Sequence, residues 1–392
     1  MTLPPRRLAI LGATGSIGTQ AIEVVRELRA RGEPFEIKAL AAGRRVEELS
    51  ALAREFDVEL VCLAGPEEAA RARALLPKKV QVTCGPEGLA QAAAWPGVDL
   101  ILNAVVGARG LRATLAALEA GKTLALANKE SLVVGGELVL AASRRPGQII
   151  PVDSEHAALL QLLSGVRREE LARAWITASG GPFRDRKPEE LSGVTPEEAL
   201  AHPTWHMGPR ITVDSATLVN KAFEVIEAHH LFGLAWEEIG VLLHPQSIVH
   251  ALLELSDGSF LAQLAAPDMR IPIRAALTHP IRLPPPPTRL PLARLALSFC
   301  ELSEDRFPAF WAVLEAGRVG GTAPAVANAA DEVLVDAFLA GKIPFPAIAE
   351  GIAEVLSRHS PAPLAGLSEL EEADAWAREE ARRFVERNAG KA

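Results

Sequence analysis

Asp153 and Glu155 stand two positions apart in the run Pro151-Val152-Asp153-Ser154-Glu155-His156. In an extended segment such positions project to one side, so the two carboxylates are expected to aim at one point. Further along, the segment from Asp214 to Glu224 adds a third carboxylate, Glu224, beside Ser215, Asn220 and Lys221. Carboxylate oxygens with no cysteine nearby suit a hard divalent ion, Mg²⁺ or Mn²⁺. The hydroxyl, amide and ammonium groups beside Glu224 suit a phosphate. Asn220, Lys221 and Glu224 share one helical face, and Val219, Phe223, Val225 and Ile226 make the other side apolar. Ser215 falls near the start of that helix. Each residue alone has a plainer reading: Asp153 could cap a helix beginning at Ser154, and Lys221 and Glu224 could pair at i,i+3 on a surface. Their convergence is what argues for chemistry.

Three further segments read as chemical. Lys129, in Ala127-Asn128-Lys129-Glu130-Ser131, follows the apolar strand candidate Thr123–Leu126. It would emerge at the carboxyl edge of a sheet, where open α/β sheets bind ligands. Ser179, in Ala178-Ser179-Gly180-Gly181-Pro182-Phe183, combines a hydroxyl with glycines that let backbone approach an anion. His202-Pro203-Thr204-Trp205-His206-Met207-Gly208 reads as a loop able to close over substrate. Its two histidines could instead suggest zinc, but they lie across Pro203 and no HExxH pattern occurs.

These groups need elements to position them. Leu8–Leu11 reads as a strand, Gly12-Ala13-Thr14-Gly15-Ser16-Ile17-Gly18 as a phosphate-binding loop, and Thr19–Ala30 as an amphipathic helix. Glycine lets backbone amides close on a diphosphate, and the helix N-terminus favours negative charge. NAD-binding domains usually carry an acid after the second strand for the ribose 2′-hydroxyl. This chain has Gly43-Arg44-Arg45 after the strand candidate Phe35–Ala41, which would attract a 2′-phosphate. NADPH is the expected cofactor. Leu60–Leu63, Val80–Thr83 and Leu100–Val105 add strands among helices, giving a parallel, doubly wound sheet. A nicotinamide domain joined to a metal-and-phosphate site reads as a reductase of a small phosphorylated substrate.

The chain has 392 residues, enough for two or three domains, and its 49% hydrophobic and 23% charged content is that of a folded protein. A net charge of −8 argues against a nucleic-acid surface. Cys62, Cys84 and Cys300 have no ligand-like spacing, and Cys62 and Cys84 are expected to be buried and inert. No apolar run reaches the roughly 18 residues of a membrane span, and the N-terminal apolar run is too short for a signal peptide. A cytoplasmic location follows as the expectation. The fold class is read as α/β: a Rossmann-like domain over 1–150, a central α+β catalytic domain over 151–281, a proline-rich linker over 282–303 and a helical domain over 304–392. Ile248–Leu255 and Ser259–Leu264 flank Ser256-Asp257-Gly258 as a hairpin.

Taken together, GATGSIG, NAVVGARGL, ANKESLV, PVDSEH, ASGGPF, HPTWHMG, TVDSATLVNKAFEVIEAHHLF, HPQSIVH and PDMRIPI resemble, in order, the 1-deoxy-D-xylulose 5-phosphate reductoisomerase family. The resemblance runs from Gly12 to the C-terminal helices. It implies NADPH-dependent conversion of 1-deoxy-D-xylulose 5-phosphate to 2-C-methyl-D-erythritol 4-phosphate, in non-mevalonate isoprenoid synthesis, by a homodimer whose central domain mediates dimerisation. It implies Asp153, Glu155 and Glu224 as metal ligands. It places Ser154, Glu155, Ser179, His202, Trp205, Ser215, Asn220, Lys221 and Glu224 at the substrate, with Ser179, Ser215, Asn220 and Lys221 at its phosphate. Lys129 would stand beside metal and substrate hydroxyls, and Trp205 would belong to a closing flap. Thr14, Gly15, Ser16, Ile17, Gly43, Arg44, Arg45, Asn128, Glu130 and Met207 would contact NADPH. The implied chemistry is carbon–carbon cleavage and re-formation on a metal-chelated substrate, then hydride transfer. Competing readings are a homoserine-dehydrogenase-like oxidoreductase, a non-catalytic NADPH sensor, and an interaction protein using Pro284–Pro287.

Overall fold

The structure, a computed structural model, describes residues 4–205, 207–284 and 290–389. Residues 285–289 of the expected linker, and His206, lie outside the described residues. The chain divides into two compact units: Met1–Ser131, Val139–Ala157 and Asp268–Thr288 form the first, and Leu132–Leu138, Ala158–Pro267 and Arg289–Ala392 the second.

In the first unit, short apolar runs separated by helices build one sheet. Its strands are β1 (Arg6–Leu11), β2 (Phe35–Ala41), β3 (Leu60–Leu63), β4 (Gln81–Cys84), β5 (Leu100–Asn103), β6 (Thr123–Leu126) and β7 (Ile149–Pro151). The order is β4-β3-β2-β1-β5-β6-β7, with the pairings parallel. Parallel neighbours need crossovers. These are α1 (Ser16–Ala30), α2 (Val46–Glu55), α3 (Pro66–Leu75), α4 (Gly85–Ala93), α5 (Leu111–Glu119) and α6 (Glu130–Ala142). Leu8, Ile10, Leu40, Leu60, Ile101 and Leu124 are fully buried, as strands covered on both faces should be. Strand order reverses between β1 and β5, so the loops leaving those two strands open a crevice at the sheet's carboxyl edge, the usual ligand position.

α7 (Ser154–Leu163) corrects one premise. Asp153 and Glu155 are not in an extended segment: β7 stops at Pro151, and the carbonyl of Asp153 already accepts from the N–H of Ala157 at 2.8 Å. Asp153 therefore precedes the helix, and Glu155 sits in its first turn. Positions i and i+2 within a helix do not face each other, but Asp153 precedes the helix, and its carboxylate still comes within 4.8 Å of that of Glu155. An Asp just before the helix and a Glu in its first turn both favour helix initiation there by offsetting the helix dipole.

The second unit holds a five-stranded sheet of order β11-β10-β8-β9-β12. Its strands are β8 (Leu171–Ala178), β9 (Ile239–Leu243), β10 (Val249–Leu255), β11 (Phe260–Leu264) and β12 (Cys300–Glu301). β8 and β9 pair parallel and the other neighbours antiparallel. The β10–β11 hairpin turns where expected, with Gly258 at φ +83. Its helices are α8 (Pro196–Leu200), α9 (Pro209–Thr217), α10 (Val219–Phe232), then α12 (Pro308–Val319), α13 (Ala323–Leu339), α14 (Pro346–Arg358) and α15 (Leu367–Asn388). α11 (Arg270–Thr278) belongs to the first unit, where Arg274 pairs with Glu27 of α1. In the second unit Ile176 and Leu253 of the sheet, Phe223 and Ile226 of α10, and Phe310, Leu334, Phe338 and Phe384 share one core. Among the described residues, no helix is long and apolar enough to cross a membrane.

Candidate active site

The glycine loop is shaped by close backbone approach. Gly12 turns the chain at φ +84, and a Cβ there would lie 2.4 Å from the Ala104 carbonyl oxygen. A Cβ on Gly18 would lie 2.1 Å from the Gly12 oxygen. Only glycine fits at either place. The N–H of Gly15 closes the turn on the Gly12 carbonyl at 2.9 Å, so Thr14, Gly15, Ser16 and Ile17 present the start of α1. The first amides of a helix have no intrahelical acceptor, which suits them to a diphosphate. After β2, Gly43, Arg44 and Arg45 are exposed. Arg45 reaches back and donates from Nη1 to the Thr14 carbonyl at 2.6 Å.

Below the crevice lies a buried polar network. Asn128 donates through Nδ2 to the Gly107 carbonyl at 2.9 Å and to Glu130 at 2.8 Å. Glu130 accepts from the Gly107 N–H at 3.2 Å. Asn103 donates to the Gly110 carbonyl at 3.1 Å and to Thr114 at 2.9 Å. Thr114 donates to Ser131 at 3.0 Å. Asn128 and Glu130 were expected at the cofactor; Asn103, Thr114 and Ser131 were not singled out. A lone asparagine ending the apolar strand Leu100-Ile101-Leu102 was the available signal, since a buried amide must be satisfied.

Lys129 and Asp153 meet in the same unit, ammonium to carboxylate, with side-chain exposures of only 7% and 11%. Burial alone would raise the Asp153 carboxyl; the Lys129 ammonium and His156 overcome it and hold the group well below the usual carboxylate range. His156 is fully buried, with Nδ1 3.4 Å from Asp153 Oδ1. Its role in orienting Asp153 was not read from sequence. Ser154 donates to Glu155 at 2.6 Å.

The second unit gathers the remaining groups. Gly180 and Gly181 have φ of +83 and +67, and a Cβ on Gly181 would lie 2.7 Å from the Ser215 carbonyl oxygen. The Ser179 loop therefore packs directly on the last turn of α9, where Ser215 sits. Ser215 is not in α10 itself: Leu218, at φ +59, breaks α9 from α10. A left-handed leucine costs about 1–2 kcal/mol, and that kink turns α10 so that it begins a fresh N-terminus at Val219. Within α10, Glu224 is 2% exposed and accepts from Asn220 Nδ2 at 2.5 Å and from the Lys221 ammonium.

His202 stands with Nε2 2.9 Å from Ser179 Oγ. Its Nδ1 accepts from the N–H groups of Thr204 and Trp205 at 3.1 and 2.9 Å, so the ring proton is on Nε2 and donates to Ser179. Ser179 Oγ also accepts from the Gly181 N–H at 3.2 Å, which leaves its own proton to be offered elsewhere. Burial, with the charge of Arg184, pushes His202 down to about 4, so it is neutral at pH 7. Trp205 is partly exposed beside His250, ring centres 6.3 Å apart, rather than sunk in the core. Met207 is half-buried and, unlike the other expected cofactor residues, belongs to the second unit.

The family model described as 1-deoxy-D-xylulose 5-phosphate reductoisomerase matches residues 8–136, its C-terminal domain matches 149–232, and a further reductoisomerase C-terminal domain matches 264–380. A 1-deoxy-D-xylulose 5-phosphate reductoisomerase of Symbiobacterium thermophilum is 50% identical over 382 residues, covering 96% of this chain and 97% of that protein. The Geobacillus kaustophilus enzyme of the same name is 48% identical, covering 95% and 97%. Among solved structures, the Zymomonas mobilis reductoisomerase in complex with NADPH has a TM-score of 0.89 at 40% identity, covering 98% of this chain and all of that one. A reductoisomerase holding NADPH, fosmidomycin and magnesium has a TM-score of 0.88 at 38% identity, covering 97% and 98%.

Proposed function

The chain belongs to the 1-deoxy-D-xylulose 5-phosphate reductoisomerase family, and we propose how its residues divide the work of that reaction. The protein is an NADPH-dependent, magnesium-requiring enzyme that converts 1-deoxy-D-xylulose 5-phosphate to 2-C-methyl-D-erythritol 4-phosphate. In our reading Thr14, Gly15, Ser16, Ile17, Asn128 and Glu130 hold the body of NADPH, Gly43, Arg44 and Arg45 attend its 2′-phosphate, and Met207 lies against it. Asp153, Glu155 and Glu224 hold the divalent ion, with Mn²⁺ an alternative to Mg²⁺. Ser179, Ser215, Asn220 and Lys221 take the substrate phosphate, and Ser154, His202 and Trp205 complete the substrate site. The observation that carries this division is a repeated one: each of two buried carboxylates meets a lysine, Asp153 with Lys129 and Glu224 with Lys221.

Both absent groups fit the residues present. The three proposed ligands offer hard oxygens and no sulfur, as Mg²⁺ prefers, and the glycine turn leaves no room for side chains where a diphosphate would press. When bound, the ion acts as a Lewis acid on substrate oxygens and NADPH supplies the hydride. The protein's own residues do the rest. Lys129 keeps Asp153 ionised in a buried setting and offers protons next to it. Ser179, its hydroxyl oriented by His202, donates to a phosphate oxygen. Lys221 brings positive charge to the same helical turn. Trp205 covers the substrate and excludes water.

The same proposal includes the division into domains over 1–150, 151–281, 282–303 and 304–392, a cytoplasmic location and a homodimer. β11 ends its sheet with Phe260 55% and Leu261 40% exposed, and an apolar sheet edge of that kind favours pairing with a second copy. The free thiols fit a reducing compartment, with burial pushing Cys62 up to about 11. The test is direct: supply 1-deoxy-D-xylulose 5-phosphate, NADPH and Mg²⁺, and identify the product by NMR. One NADPH should be oxidised per 2-C-methyl-D-erythritol 4-phosphate formed, and chelator should stop it. NADPH oxidation indifferent to this substrate would overturn the reading.

A further inference from the structure

α9 carries Ser215 near its end and begins immediately after the segment 202–208, so whatever fixes α9 fixes both. Its second residue is Arg210, a cation near a helix N-terminus, where the dipole disfavours positive charge. That placement is compensated from another helix. Arg210 donates from Nη1 to Glu332 at 2.9 Å, and from Nη2 to Asp331 at 3.2 Å and Asn328 at 3.1 Å, all on α13. Its Nε lies 3.5 Å from Asp214, one residue before Ser215. Glu332 in turn accepts from Arg378 of α15 at 2.7 Å, and Arg378 holds Asp374 at 2.6 Å. Asp331 is fully buried, Asp214 is 5% exposed, and both carboxyl groups face Arg210.

We propose that Arg210 and Asp331 are positioning residues for the substrate phosphate: the buried ion cluster they form fastens α9 to the C-terminal helices α13 and α15, and so sets Ser215 and the start of the closing segment. This rests on the reading that Ser215 binds the phosphate. Clusters of this kind are geometrically exacting, because the buried carboxyl groups of Asp214 and Asp331 must be matched by positive charge. The two cations, Arg210 and Arg378, face four carboxyl groups: Asp214 on α9, Asp331 and Glu332 on α13, and Asp374 on α15. Burial is the main influence on Asp331 and pushes it up to about 6, despite Arg210. Above that pH the Arg210–Asp331 pair is fully charged. As pH falls through about 6 Asp331 neutralises and its attraction for Arg210 is lost, although the fold as a whole gains stability, because a carboxyl raised above its unfolded value favours the protonated folded state.

The test is steady-state kinetics on Arg210→Met, Arg210→Lys, Asp331→Asn and Ser215→Ala, with 1-deoxy-D-xylulose 5-phosphate, NADPH and Mg²⁺. Arg210→Met and Asp331→Asn should each raise KM for the phosphorylated substrate about tenfold while KM for NADPH stays within about twofold. Arg210→Lys should recover part of the loss. The substrate phosphate also titrates near pH 6, so the readout is the ratio of Asp331→Asn KM to wild-type KM. That ratio should be about ten at pH 8 and approach one near pH 5, because the wild-type carboxyl is then neutral too. If Arg210→Met does not fold, Asp331→Asn, which keeps size and shape, decides the matter. A ratio that does not change with pH, or equal shifts in KM for substrate and NADPH, would overturn the proposal. Should Ser215→Ala raise substrate KM while Arg210→Met and Asp331→Asn leave it alone, only this inference fails. Should Ser215→Ala itself leave KM unchanged, the phosphate reading fails with it.

Discussion

The Nε2–H of His202 donates to Ser179 Oγ across 2.9 Å, while the backbone of Trp205 donates to the same ring's Nδ1 at 2.9 Å. One neutral imidazole thus couples the hydroxyl assigned to the phosphate with the aromatic assigned to the flap. Replacing His202 with Ala should raise KM for substrate and leave KM for NADPH largely unchanged. There is also a stability signature. His202 and His230 are both pushed down to about 4 by burial, so the folded state resists protons that the unfolded chain accepts below about 6.5. Their contribution is present above pH 6.5 and is lost as pH falls toward 4. Thermal unfolding should therefore drop over that window, and less steeply in His202→Gln. An unchanged slope in that variant would remove His202 from the account.

The two arginines after β2 are predicted to behave differently. Arg45 ties down the glycine loop through the Thr14 carbonyl, whereas Arg44 is exposed and has the 2′-phosphate as its proposed partner. Arg44→Ala should raise KM for NADPH much more than for NADH; Arg45→Ala should also raise the NADH value, by loosening the loop both cofactors use. The double variant should still discriminate less between the cofactors than wild type. Equal effects of Arg44→Ala on NADPH and NADH would contradict the assignment.

Much of this was legible in the sequence, for physical reasons. β1, β2, β3 and β6 and the hairpin of β10 and β11 were readable because buried parallel strands are short apolar runs between turn residues, and because Asp257-Gly258 favours a tight turn. The start of α7 was misread as extended, since Asp and Ser serve equally in loops and at helix N-termini. Leu218 hid the break between α9 and α10, because nothing in a leucine announces a positive φ. Candidate ligands were found through residue type and family likeness. The partners that orient them, His156, Asn103, Arg210 and Asp331, depend on distant segments meeting, and no local spacing encodes that.

The segment from Ser179 to Arg210 is predicted to close over bound ligand. Trp205 is partly exposed and touches the site through His202 and His250 rather than through the apolar core. Limited proteolysis between these residues should be fast in the free enzyme and slowed by fosmidomycin with Mg²⁺. Trp205→Ala should impair turnover or substrate binding and leave NADPH affinity intact. Cleavage at the same rate with fosmidomycin demonstrably bound would mean that the segment is no lid.

The claim on which the account turns is that Asp153, Glu155 and Glu224 together hold the divalent ion. Mn²⁺ is a usable probe, and its binding can be followed by electron paramagnetic resonance in wild type and Glu224→Gln at equal NADPH. The substitution keeps the side-chain shape and removes one negative oxygen ligand. Mn²⁺ affinity is predicted to fall by at least about tenfold, with NADPH binding and the circular dichroism spectrum unchanged. Undiminished Mn²⁺ affinity in Glu224→Gln would contradict it.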